Sequence, residues 1–533
     1  IVYNGEIYNY IEIRKELEQL GSVFKTASDT EVLLEAYRIW GEKCLDKFNG
    51  MWAFAIYNTK NNKIFISRDR IGVKPLYYWK SGANFAIASE IKQFFGLQKF
   101  VKKINKNAPI LYLATGYENP PETFYKDVYA FPPGHYAEFH VSDPEIKPIP
   151  FWFPDKINIR KWEEEELIPE ISAKFANAVK LRLRADVPVG TCLSGGLDSS
   201  AIFVQMKEFL PDTQLNAFSA CFYEPEANEI SHMERIIAKT GAKHIKTFPS
   251  ADSFSKNFEI LIRQHDEPIG SMSMFAQYLV MKSARENKIP VLLDGQGGDE
   301  LFSGYWPSYM LFFNSLRKSS SYLTLLRQLT GAFLPGGNNI LISEIVKNFC
   351  EFRKRSSSAP RLFELNKESF AILDSILLSN WHNIARSISP EEYRKAEIFK
   401  IHLPRLLKWE DRNSMSFSIE SRVPFLDVEL VKLMLSVPPH MNMQKGWTKC
   451  LFRRAMKEKL PDSICWRKDK KGFETPQEKW MKSGTFHLKL LEWANNYEHP
   501  VSDFLCSGFN EISTALKKKS FNATLMFRLF CLD

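Results

Sequence analysis

The sequence predicts two α/β units in tandem: a sheet-rich α+β sandwich over 1–145 and a larger α/β domain with a parallel sheet and a helical C-terminal part over 163–533. Three observations carry this prediction. Paired apolar runs around short polar turns fill the first 140 residues. Strand and helix patterns alternate from 187 to 294, the mark of a parallel sheet flanked by helices. Between them the text is proline-dotted and irregular (SDPEIKPIPFWFPDK), which suits a linker over 146–162.

In the first unit, Asn9 with Glu12 and Ser28 with Glu31 read as capping boxes that open two helices, and Gly21 suits the end of the first. "MWAFAIYNTKNNKIFISRD" and "PLYYWKSGANFAIASE" read as two strand pairs, and "AFPPGHYAEFHV" as a proline turn followed by a strand. In the second unit, Leu167, Ile171, Phe175 and Val179 recur at four-residue spacing and predict a helix. A strand, loop and helix then follow over 187–208, with further strands at "NAFSACF", "HIKTF" and "PVLLD". From about 305 onward the pattern is mostly helical.

Composition narrows the class. A chain of 533 residues is too long for one core, and 44% hydrophobic with 25% charged residues is ordinary for a globular protein. The net charge of +9 comes from scattered lysines, which suits a solvated surface and predicts no nucleic-acid partner. Eight cysteines lie far apart without a C-x-x-C, so reduced thiols in a cytoplasmic protein are expected. No run reaches the apolar length of a membrane span, and no membrane partner is expected.

Two glycine turns carry the chemistry. "CLSGGLDSSA" (192–201) is a strand end, a glycine turn and a helix start, where free backbone N–H groups and the helix dipole favour an anion. No lysine follows its glycines, so it is not a P-loop of the G-x-x-x-x-G-K-[ST] type. "LLDGQGGDELFSGY" (292–305) repeats the arrangement and should open onto the same crevice of the sheet. Asp198 and Asp299 would then flank one anion, which is favourable if Mg²⁺ lies between them. Either loop alone reads equally well as an ordinary turn with an acidic helix cap.

"LSGGLDSS" resembles the PP-loop of ATP pyrophosphatases. Together with "DGQGGDELFSGY", "DRNSMSFSIESRVPFLD" (411–427) and "RKDKKGFETP" (467–476), it is similar to the synthetase domain of glutamine-hydrolysing asparagine synthetases. The N-terminal part is similar to that family's Ntn-type glutaminase domain through "YNGEIYN", "SDTEV", "SRDRIGVKPLYY" and "FPPGHY". The resemblance implies a ligase that activates aspartate with ATP as an acyl-adenylate, releases pyrophosphate and AMP, and takes nitrogen from glutamine or ammonia. Ser194, Gly195, Gly196, Asp198, Ser199 and Ser200 would hold pyrophosphate, and the backbone at Cys192, Leu193, Ala220, Asp294 and Gly295 the adenosine portion. Lys470 would neutralise charge on the transferring phosphate. A homodimer is compatible with this reading.

On the glutamine side, Asn4 and Gly5 match oxyanion donors, and Glu6 and Asp29 match groups that hold the α-amino end of glutamine. The family's nucleophilic cysteine opens the mature chain, whereas this sequence starts at Ile1. A truncated sequence is therefore expected, whose glutaminase half is inactive as it stands and which can still use free ammonia. The full-length protein would use both nitrogen sources. Gln296 departs from the family, which often carries an acid there, and an amide cannot act as a base. Glu420 is the nearest motif carboxylate able to take that role, or else forms a structural ion pair with Arg422 or Arg412. The altered position keeps a second reading open: the same chemistry on a β-lactam precursor, a peptide or a sugar acid.

Overall fold

The computed structural model describes residues 1–116, 118–341, 343, 389–468, 475–496, 499, 505 and 509–533. Its N-terminal half contains two antiparallel sheets. The first orders Val2–Ile7 (β1), Gly50–Asn58 (β2), Lys63–Arg68 (β3), His135–His140 (β7) and Ile149–Pro150 (β8). The second orders Asn84–Ala88 (β5), Tyr77–Ser81 (β4) and Val128–Ala130 (β6). β8 falls in the stretch expected as linker and pairs Tyr136 with Ile149.

The sandwich follows from the two-residue period of β2. Trp52, Phe54 and Ile56 pack under the helices Tyr10–Gln19 and Asp29–Trp40. Ala53 faces the other way, toward Ile66, Phe131 and the second sheet. The expected cap at Asn9 is corrected. The chain enters the first helix through a tight turn (φ −94°, ψ 25°) rather than the extended geometry that a capping side chain needs. Asn9 instead accepts from the Asn49 N–H at 2.8 Å and donates to the Lys47 carbonyl at 2.9 Å, while Glu12 pairs with Arg184. Ser28 does cap its helix by accepting from the Thr30 N–H, but Glu31 reaches past it to the Lys25 and Thr26 amides.

The C-terminal half is built on a five-stranded, all-parallel sheet. Its order is Lys243–Thr247 (β11), Asn216–Ala220 (β10), Val189–Cys192 (β9), Val291–Leu293 (β12) and Glu420–Arg422 (β13). Neighbouring residues point to opposite faces: Ala217 and Leu293 join one buried cluster, Phe218 and Leu292 the other. Helices therefore cover both sides, as a parallel sheet requires. The chain runs outward from β9 through β10 to β11, then returns to the other side of β9 as β12. That reversal is the crevice where ligands bind in open α/β sheets. β13 was not expected, because three residues within a motif give no readable period.

Charged side chains join the two halves. Lys74 of the N-terminal half meets Asp411 at 3.2 Å, and both are buried. Asp427 accepts from Arg182 at 3.0 Å and from Asn49 at 2.9 Å. Asp266 accepts from the Ile91 N–H at 2.8 Å and lies 3.3 Å from Arg412. No helix among the described residues is long and apolar enough to cross a membrane.

Removing one partner of a buried ion pair leaves the other charge uncompensated. Asp427→Ala is expected to lower the stability of the joined halves by about 3–5 kcal/mol, read as an earlier first transition in urea denaturation.

Candidate active site

The first glycine loop leaves the end of β9. Leu193 donates its N–H to the Phe218 carbonyl at 2.8 Å, and Ser219 Oγ donates to the Leu193 carbonyl at 2.6 Å, which fastens the loop to β10. Gly195 sits at φ +72°, and a Cβ there would come within 2.9 Å of the Met233 amide nitrogen. Gly196 then starts the helix Leu197–Phe209 with no side-chain cap. The amides of that first turn are thus available at the sheet edge for an anion. Ser199 Oγ accepts from the Ser194 N–H at 3.2 Å, and the Ser200 hydroxyl is buried with no protein partner.

The second glycine loop leaves β12, immediately beside the first. Asp294 donates its N–H to the Arg422 carbonyl of β13 at 2.9 Å. The two loops touch: a Cβ on Gly298 would stand 2.9 Å from Asp198 Oδ1. A larger residue there would have to push the Asp198 carboxylate aside. Gln296 is half-buried within this loop, and Ala220 is buried at the end of β10.

Asp198 and Asp299 converge on a group that sequence reasoning missed. Lys449 Nζ lies 2.6 Å from Asp198 Oδ2 and 2.8 Å from Asp299 Oδ1. Its side chain is almost fully buried, at 2% exposure. Burial pulls its pKa down, but the two carboxylates outweigh that effect and hold it above its ordinary value. A lone lysine in "GWTKCLF" offers no sequence signal of this role. Lys470 lies outside the described residues.

Glu420 is not brought beside Gln296. It starts β13, level with Val291, whereas the glycine loop leaves the other end of β12. Its carboxylate accepts from Arg422 Nε at 2.6 Å, and Arg422 also lies 3.8 Å from Glu6.

That contact leads to the N-terminal site. Asp29 accepts from Tyr3 OH at 2.8 Å and from the Ile7 N–H at 3.0 Å, so it is tied to β1 beside Glu6. Burial, then the Asp29 charge, raise the Glu6 pKa to about 7. Asn4 donates to Ser89 at 3.3 Å, and Gly5 lies flat against the Met51 carbonyl of β2. Asn4, Gly5, Glu6 and Asp29 therefore gather at one end of the N-terminal half.

Comparison with known proteins agrees with this division. Residues 170–506 match the family described as asparagine synthase, and residues 1–152 match the glutamine amidotransferase domain. Asparagine synthetase (glutamine-hydrolyzing) 1 of Bacillus subtilis (strain 168) is 30% identical over 507 residues, covering 93% of this chain and 78% of that protein. Asparagine synthetase (glutamine-hydrolyzing) 3 of the same organism is 27% identical over 513 residues, covering 92% and 78%. Amidase chyE of Penicillium rubens is 24% identical over 546 residues, covering 92% and 79%. With two glycine loops meeting at the sheet's reversal point and these matches spanning both halves, the chain belongs to the asparagine synthase family of ligases.

Proposed function

We propose that this protein uses ATP to convert the side-chain carboxylate of aspartate into an amide, with glutamine as the nitrogen donor. One observation carries the reading: two carboxylates and a buried ammonium meet where the two glycine loops touch at the crevice of a parallel sheet. With a divalent cation on the two carboxylates, that arrangement suits a departing pyrophosphate.

In this reading the aspartate carboxylate attacks the α-phosphorus of ATP, and the bond to pyrophosphate breaks. The amides and hydroxyls of Ser194, Gly195, Gly196, Ser199 and Ser200 hold the leaving group. Cys192, Leu193, Ala220, Asp294 and Gly295 border the adenosine portion through their backbone. Lys449 neutralises charge growing on the pyrophosphate, in an interior where such help is strongest. Lys470 would approach from the other side, a role carried by the motif alone.

The residues also fit a Mg²⁺ ion. Asp198 Oδ1 is buried with no hydrogen-bond partner, and Asp299 adds a second hard oxygen ligand close by. Mg²⁺ held by Asp198 and Asp299 would screen the phosphates. Nitrogen then displaces AMP from the acyl-adenylate. In the N-terminal half, Asn4 and Gly5 would stabilise the oxyanion of the glutamine amide, while Glu6 and Asp29 hold its α-amino group.

Gln296 favours a second reading, the same chemistry on another carboxylate. The similarity to a protein named an amidase suits it too. Exchange of labelled pyrophosphate into ATP, run with a panel of carboxylates, separates them. Aspartate is expected to drive exchange; a β-amino acid or sugar acid doing so instead would select the second reading, and no exchange with any acid would reject both. Lys449→Ala is expected to slow the exchange by about 10²- to 10³-fold, the usual loss for a preorganised electrostatic donor.

A further inference from the structure

Glu410 lies on the helix Leu403–Met415 and is 2% exposed. Its Oε1 accepts from Ser421 Oγ of β13. Its Oε2 is buried with no hydrogen-bond partner. A buried carboxylate oxygen left without a donor is costly and calls for an explanation.

Two features of its surroundings supply one. Against Glu410, where the two halves meet, lies a cavity of about 10 Å³, walled by the apolar side chains of Val73, Leu407 and Val423 and by the polar ones of Lys74, Asp411 and Ser414. That is room for one molecule of water's size, which is also ammonia's. Asp294, at the root of the second glycine loop, and Cys192, at the end of β9, are close enough to interact electrostatically with Glu410. Glu410 therefore borders a small chamber at the junction of the halves and lies within electrostatic range of the acid that begins the second glycine loop.

We propose that Glu410 accepts the proton that nitrogen gives up as the amide forms. The nitrogen lone pair attacks the acyl carbon, the N–C bond forms, and the C–O bond to AMP breaks with its electron pair leaving on AMP. One N–H proton passes to Glu410 Oε2 and leaves to solvent with the products. This inference rests on the acyl-adenylate reading above. It also explains how the chain tolerates an amide at Gln296, since the carboxylate is supplied by a neighbouring helix.

The electrostatics suit the task. Burial, then the Asp294 charge, push Glu410 well above the usual carboxylate range, with Asp411 adding to the shift and Ser421 and Lys74 opposing it. Cys192, the remaining titratable neighbour, is itself held neutral by burial and by both acids. A carboxylate raised in this way is a stronger base than one in water, and its ionised form grows as pH rises.

The test uses the full chain with ammonium as nitrogen source and two readouts: carboxylate-dependent pyrophosphate exchange, and amide formation. Glu410→Gln is expected to leave exchange within about 3-fold of the unsubstituted chain, to lower amide formation by about 10²- to 10⁴-fold, and to abolish its rise with pH. Glu410→Asp, which keeps the acid, is expected to recover part of the amide formation with a displaced pH profile. It answers the question if the glutamine variant does not fold. Amide formation by Glu410→Gln within about 3-fold, or equal loss of both readouts in either variant, would overturn the inference. Exchange that persists while Glu410 proves silent sinks this inference alone. No carboxylate-dependent exchange in the unsubstituted chain would reject the proposed function and this inference with it.

Discussion

The Lys449 ammonium, held between Asp198 and Asp299, is the interaction around which the catalytic half is arranged. Two carboxylates this close repel each other, and that repulsion is offset by the buried ammonium between them. Meeting it requires that β9 and β12 be neighbours, that both end at the same edge, and that glycine occupy the point where one loop crosses the other. The sheet order supplies the first two conditions and Gly298 the third.

A second set of buried polar contacts is concentrated in one stretch, 411–427, and two of its pairs, Lys74–Asp411 and Glu6–Arg422, tie the halves to each other. Asp411 pairs with Lys74, Arg412 with Asp266, Asn413 with His265, Arg422 with Glu420 and Glu6, and Asp427 with Arg182. Buried pairs of this kind contribute little net stability against apolar packing, but they tolerate only one geometry. The stretch reads as a signature of the catalytic half, yet Asp411, Arg422 and Asp427 also reach Lys74, Glu6 and Asn49 of the N-terminal half. In that arrangement Arg422 reaches Glu6 while its own carbonyl holds Asp294.

Local chemistry decided what the sequence could reveal. The strand pairs of the first unit, the helix at Leu167–Val179 and both glycine turns were legible because period and turn composition act over a few residues. The cap at Asn9 was misread, because Asn49, distant in sequence, claims its side chain. β13 was invisible at three residues in length. Lys449 stayed hidden for a different reason: a buried lysine is recognisable only by the acids that surround it, and those come from two loops far apart in sequence. Glu410 shares that property, since a glutamate on an amphipathic helix ordinarily points to water. For Glu420 the motif gave the residue, while the geometry gives it Arg422 as its partner.

The late arrival of β13 has a consequence for how the molecule is made. The strand bordering β12 is encoded only at Glu420–Arg422, far along the chain, so during synthesis β12 waits with an open edge. The loop that carries Gln296 lacks its support from Arg422 until the ribosome has passed residue 422. Pairing across such a separation is slow, because the intervening chain must first be ordered. A nascent chain that stops short of that point would carry both glycine turns with only the first one fastened in place.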